Sequence, residues 1–177
     1  MILSLDISTS CTGYCVFDND GNLITSNAII LNKEKNFFEK VKIVEHTIKQ
    51  LCTRYNLTDV AIEESLQSFR PGLSSAKTLF TLSKFNGIVQ YICYNSGLNL
   101  HTYNVNTARK LSNIKINRKL NIKTKDQVAD QVCNFVTLPK KILKSGPRKG
   151  SQVYENYSYD IADAYVIGKA YCIENLK

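Results

Sequence analysis

Hydrophobic positions along this chain change period several times, and each change predicts an element. Residues 2–7 (Ile-Leu-Ser-Leu-Asp-Ile) form a short apolar run with one carboxylate near its end. Gly13 to Phe17 reads as a second strand, Asp18-Asn19-Asp20-Gly21 as a turn, and Asn22 to Leu31 as a third strand, which together predict an antiparallel meander. Phe37, Val41, Val44, Ile48, Leu51 and Tyr55 then recur at intervals of three or four, so 34–55 reads as an amphipathic helix. A short strand over 59–63 again ends in an acid. Residues 73–95 form a long helical segment closed by Ser96-Gly97, and 98–105 supply a fifth strand. The final segment, 157–173, is helical, with Ile161, Ala164, Tyr165, Ile167 and Tyr171 marking its apolar stripe.

The order is therefore β-β-β-α-β-α-β followed by helical, basic material, which predicts an α/β fold with a five-stranded mixed sheet flanked by helices. Residues 140–150 contain Gly146, Pro147 and Gly150 among basic side chains and read as an exposed, mobile loop. There is no internal repeat, and 1–177 is expected to be a single domain with a full core.

Composition narrows the class. A hydrophobic content of 44% and a charged content of 21% are ordinary for a soluble globular protein. No stretch approaches the roughly 20 apolar residues of a membrane span. The chain opens on Ile2, Leu3 and Leu5 without a basic leader, so a cytoplasmic protein is expected, in a bacterium or a phage-infected host. The six cysteines are scattered without a Cys-x-x-Cys pair, and the two histidines are isolated, which points to reduced thiols and away from zinc.

Charge adds more through its position than through its total of +8. Residues 105–149 hold twelve Lys/Arg against Asp126 and Asp130, a balance of +10, while the rest of the chain carries −2. A basic segment beside a near-neutral body is the footprint of a polyanion-binding face.

Four acids supply the candidate chemistry. Asp6 and Glu63 each sit at the C-terminal side of an apolar strand, where a carboxylate is costly unless it is paired or metal-bound. Asp160 and Asp163 are three apart on a helix and so share one face. Glu64 follows Glu63, and strand alternation lets only one of them point into a common site; Glu63, which continues the strand directly, is the expected one. An all-oxygen cluster suits Mg²⁺, with Mn²⁺ as substitute. Two such ions about 4 Å apart can clamp a phosphodiester, a chemistry that needs no histidine, thiol or organic cofactor.

These blocks resemble the RuvC family of Holliday-junction resolvases, within the RNase H-like superfamily. Leu3-Ser-Leu-Asp-Ile-Ser-Thr-Ser-Cys-Thr-Gly13-Tyr is similar to the family's opening strand, Ala61-Ile-Glu63 to its second acidic block, and Tyr159-Asp160-Ile-Ala-Asp163-Ala164 to its closing helix. Residues 104–110 and 123–128 resemble its basic region. The resemblance implies an RNase H-like fold with a C-terminal catalytic helix. It also implies Asp6, Glu63, Asp160 and Asp163 as catalytic metal ligands, two metal ions, and a homodimer that cuts four-way junctions. Lys110 and Lys125 would contact DNA phosphates, with Lys119 and Lys123 as further candidates. Where the family carries an aromatic residue after its second acid this chain has Leu66, and Phe69 three residues on becomes the candidate for base stacking. Apolar residues of the 73–95 helix (Leu79, Leu82, Ile88) are candidates for a dimer surface. The long 137–157 stretch, together with the chain's rich Asn, Lys and Ile usage, resembles phage-encoded members, and with them come forks and flaps as further substrates.

Other readings share these features. The first is an RNase H-type nuclease acting on RNA–DNA hybrids, which relies on the same phosphate contacts. The second is a catalytically silent nucleic-acid-binding module of the same fold. The third is a sugar kinase, whose phosphate loop Asp6-Ile-Ser-Thr-Ser and Gly13 also resemble, although such enzymes close two domains on a nucleotide and 177 residues supply one.

Overall fold

In a computed structural model, which describes residues 1–64 and 75–176, the elements run in this order: β1 (Ile2–Ile7), β2 (Cys11–Phe17), β3 (Leu23–Ile30), α1 (Phe37–Arg54), β4 (Asp59–Glu63), α2 (Ala76–Asn95), β5 (Asn99–Tyr103), α3 (Val105–Leu111), α4 (Thr124–Val132), β6 (Lys140–Ile142), β7 (Gln152–Tyr154) and α5 (Asn156–Asn175). Five strands form one sheet in the order β3-β2-β1-β4-β5. The first three pair antiparallel as the meander predicts, while β1–β4 and β4–β5 pair parallel.

Alternation along the strands sends side chains to two separate cores. Leu3, Leu5, Ile7, Val60 and Ile62 point to the face covered by α1 and α2, where Val44, Ile48, Phe85 and Val89 meet them. Ile2, Cys15, Phe17 and Ala61 point to the opposite face, covered by α5 with α3 and α4 behind it. Enclosed between sheet and helices, α5 buries Ile161, Ala162 and, past the half-buried Asp163, every residue from Ala164 to Gly168, so its predicted single stripe is in fact apolar on most sides.

Caps explain the shifted boundaries. The Asn36 side chain accepts from the Phe38 and Glu39 amides, so α1 begins at Phe37 instead of 34. The Asn104 side chain accepts from the Asn106 amide, which ends β5 at Tyr103 and starts α3. The loop expected over 140–150 is instead part of a β-hairpin. β6 pairs antiparallel with β7, the Leu143 amide donates to the Ser151 carbonyl at 3.0 Å, and Gly146 and Gly150 take the turn at φ +80° and +86°. Its strands are three residues long, too short for an alternating pattern to register. Among the described residues all six cysteines are free, and no helix is long and apolar enough to cross a membrane.

Candidate active site

The parallel pairing of β1 and β4 brings two acids to one edge. Leu5 pairs with Ile62, so Asp6 and Glu63 each lie one residue beyond that pair, at the C-terminal ends of adjacent strands. Asp6 alternates with Ser4 and Glu63 with Ala61, so both carboxylates take the α5 side of the sheet. Glu64 falls to the other parity; its amide donates to the Tyr103 carbonyl at 2.8 Å.

Helix α5 brings the other two acids, and two glycines set how closely it approaches. A Cβ on Gly13 in β2 would overlap the Asp160 carbonyl and stand 2.7 Å from the Ile161 amide nitrogen. A Cβ on Gly168 in α5 would meet the Phe17 ring and lie 2.6 Å from the Ser4 hydroxyl. With hydrogen at both positions, the helix lies directly on the strands and carries Asp160 and Asp163 toward Asp6. Gly13→Ala should therefore destabilise the fold by about 2 kcal/mol through overpacking and lower the melting temperature by roughly 6 °C. Calorimetry checks this, and an unchanged melting temperature would remove the close-approach argument.

The electrostatics show how strongly the acids feel one another. Burial holds the Asp6 carboxyl well above the ordinary carboxylate range, and repulsion from Asp163, Glu63 and Asp160 adds to it. Burial and then Asp163 push Glu63 up to about 7. Asp160 rises to about 6, chiefly by burial, against a hydrogen bond from the Cys11 thiol and the nearby charge of Lys125. Asp163 is also raised by burial, and Arg109 opposes the shift.

Arg109, on α3, places Nη2 3.5 Å from Asp163 Oδ1, and its buried Nε has no partner among the described residues. The family resemblance points to its neighbour Lys110, whereas it is Arg109 that reaches the acids. No sequence signal separates the two: only the packing of the fully buried Ala108 against the α5 core turns Arg109 partly inward. Among the described residues no three His, Cys, Asp or Glu side chains stand grouped at metal-binding spacing. The donor set nevertheless fits a hard divalent cation: four carboxylates and, among the described residues, no imidazole, with Arg109 beside Asp163 and Lys125 acting on Asp160.

The other expected contacts are spread around this edge. Lys125 Nζ lies over the Tyr159 ring at 4.2 Å from the centroid, one residue before Asp160. Lys110 lines a hollow with Arg109 and Lys115 on the α3 side. Lys123 precedes α4 and borders a hollow with Lys125, while Lys119 is exposed in the connection between α3 and α4. Phe69 and Leu66 lie outside the described residues. Of the expected dimer residues, Leu79 and Leu82 wall the cleft beside Asp6 and Glu63, and Ile88 packs against the core. The apolar residues that α2 leaves exposed are Phe80, Tyr91 and Tyr94.

Residues 2–145 match the model of the family described as crossover junction endodeoxyribonuclease RuvC. Asp160, Asp163 and strand β7 lie beyond the matched residues. The fold is similar to that of T. thermophilus RuvC in complex with Holliday junction substrate, at 16% identity, 97% coverage of this chain, 92% of that chain and a TM-score of 0.65. It is also similar to the yeast mitochondrial Holliday junction resolvase, at 14% identity, 97% and 77% coverage and a TM-score of 0.57. No curated protein sequence matches the chain. Its mixed sheet with flanking helices is the RNase H-like fold. The chain belongs to the crossover junction endodeoxyribonuclease RuvC family, whose members are metal-dependent, and is a junction-resolving endonuclease.

Proposed function

We propose that the chain hydrolyses phosphodiesters of branched DNA, four-way junctions foremost and forks and flaps besides, at Asp6, Glu63, Asp160 and Asp163. The observation that carries this reading is the meeting of two strand-borne and two helix-borne carboxylates at one sheet edge. These four side chains would hold Mg²⁺, or Mn²⁺ in its place, as a pair of ions. Bound there, such ions activate water and neutralise charge on the phosphate and the leaving oxygen. The protein supplies the rest. Arg109 holds Asp163 by an ion pair and adds positive charge beside the scissile phosphate. Lys125, steadied on the Tyr159 ring, faces the same phosphate from the Asp160 side. Lys110, Lys119 and Lys123 extend the basic surface along the DNA.

Cutting two opposed strands needs two active sites, so the working unit is a C₂ homodimer. Phe80, Tyr91 and Tyr94, exposed on α2, supply the apolar face such a dimer would bury.

The test is cleavage of a substrate panel (four-way junction, Y-fork, flap, duplex and RNA–DNA hybrid) with Mg²⁺ and with Mn²⁺. Paired symmetrical nicks in the junction are the expected result. Cleavage of the hybrid without the junction would replace this reading with a ribonuclease H type. Lys125→Ala should weaken junction binding and lower the slope of log affinity against log salt by about 0.9, the value of one lost phosphate contact. An unchanged slope would take Lys125 out of the contact set.

A further inference from the structure

The β6–β7 hairpin has no role in the site described above. It stands apart from the main sheet, and its second strand lies beyond the residues that match the family model. Residues 140–154 carry five Lys/Arg and no acid. The hairpin base is fixed to the start of the catalytic helix: the Glu155 amide and the Ser158 hydroxyl both donate to the Pro139 carbonyl, at 2.9 and 2.6 Å, and Lys141 Nζ pairs with Glu155 at 3.0 Å. The hairpin is therefore held in register with Asp160 rather than hung from a free loop.

Between the hairpin and the start of α4 lies an open hollow of about 410 Å³. Lys123, Lys125, Lys141 and Arg148 border it, as do Asp126 and Asp130. Both acids accept a hydrogen bond and keep their charge, and the four cations outnumber them. Asp126 accepts from the Tyr159 hydroxyl at 2.5 Å, and Asp130 from the Tyr154 hydroxyl at 3.0 Å. The same two tyrosines carry lysines on their ring faces, Lys125 over Tyr159 and Lys140 over Tyr154 at 4.7 Å. The rings thus aim cations without neutralising them, and their covered faces are closed to base stacking. What this surface can grip is the sugar–phosphate backbone, independent of base identity. Lys141 also borders a second hollow that contains Asp160 and Cys11, so the basic path runs into the acidic site.

We propose that the hairpin and the start of α4 form a backbone clamp that holds two phosphates of the DNA strand running outward from the active site, through Arg148 and Lys140. The clamp rests on the branched-DNA reading above and extends its footprint along one arm.

The test is binding of a long-armed four-way junction over a range of salt, by fluorescence anisotropy without divalent ions. The variants are Arg148→Ala and the double variant Arg148→Ala/Lys140→Gln, which leaves the Lys141–Glu155 anchor in place, with melting temperatures measured to establish that both fold. The salt slope should fall by about one unit in the first and about two in the second. Affinity at moderate salt should fall about threefold and about tenfold. Shortening the junction arms should cost the wild type affinity and leave the double variant little changed. Folded variants that keep the wild-type slope would overturn the clamp while leaving the nuclease reading in place. A wild-type chain that binds no branched DNA would overturn both.

Discussion

Asp6→Asn should lower junction cleavage by on the order of a thousandfold or more while leaving junction binding intact or tighter. Asp6 is the acid with the most acidic neighbours, since Asp163, Glu63 and Asp160 all act on its carboxyl. An amide in its place removes a metal-ligating oxygen and one of four negative charges at the point where a phosphate must sit. The fold should not suffer. The carboxyl is costly to ionise where it stands, so a neutral isostere relieves repulsion rather than leaving a partner stranded. Loss of activity with retained binding would separate a ligand role from a structural one. Single-turnover cleavage with Mg²⁺ and anisotropy in Ca²⁺ measure the two halves. Undiminished Mg²⁺-dependent cleavage by the purified variant would overturn the catalytic assignment of all four acids, because no arrangement centred on them works without Asp6.

The parts of this site that could be read from the sequence are those set by a short period. Alternation in 2–7 and 59–63 marks both strand-borne acids but only lets one of Glu63 and Glu64 face a common site, and the structure puts Glu63 on the face of Ala61. The three-residue spacing of Asp160 and Asp163 needs only a helix. Features that depend on tertiary packing were out of reach. The need for glycine at positions 13 and 168 appears only once α5 lies on the sheet. Arg109 was one of twelve cations in 105–149, and its selection over Lys110 depends on which side of a seven-residue helix meets α5. The hairpin escaped for a related reason. Gly146, Pro147 and Gly150 signal a turn correctly, but pairing of Lys140-Lys141-Ile142 with Gln152-Val153-Tyr154 is a non-local event that three-residue strands do not announce. Helix α2 was legible as a helix, but which of its faces remains exposed was not: Leu79 and Leu82 are taken up by the cleft wall, and Phe80, Tyr91 and Tyr94 are left outside.

The raised acids make a prediction about stability that does not depend on turnover. A carboxyl whose pKa is higher in the folded chain than in the unfolded one favours folding in its protonated form. Its contribution is fully present below the unfolded value and is lost as pH rises through the folded value. Glu63 moves from 4.5 to about 7 and Asp160 from 3.8 to about 6, so the window runs from roughly pH 4 to pH 7. Across it the metal-free protein should lose roughly 3 kcal/mol, about half the unscreened sum of the two shifts because both groups retain some solvent contact. Divalent ions reverse the sign of the effect, since they bind the ionised carboxylates of the folded chain and stabilise it by mass action. Mg²⁺ or Mn²⁺ should therefore raise the melting temperature by several degrees at pH 7.5 and by little at pH 5, where protons compete for the same oxygens. Thermal melts at both pH values, with chelator and with millimolar ion, provide the measurement. In Asp6→Asn both the pH-dependent loss and the ion-induced gain should shrink together, because the repulsion and the ligand set share that carboxylate. An ion effect of equal size at the two pH values would show that binding does not draw on these acids, and the proposed metal site would fall with it.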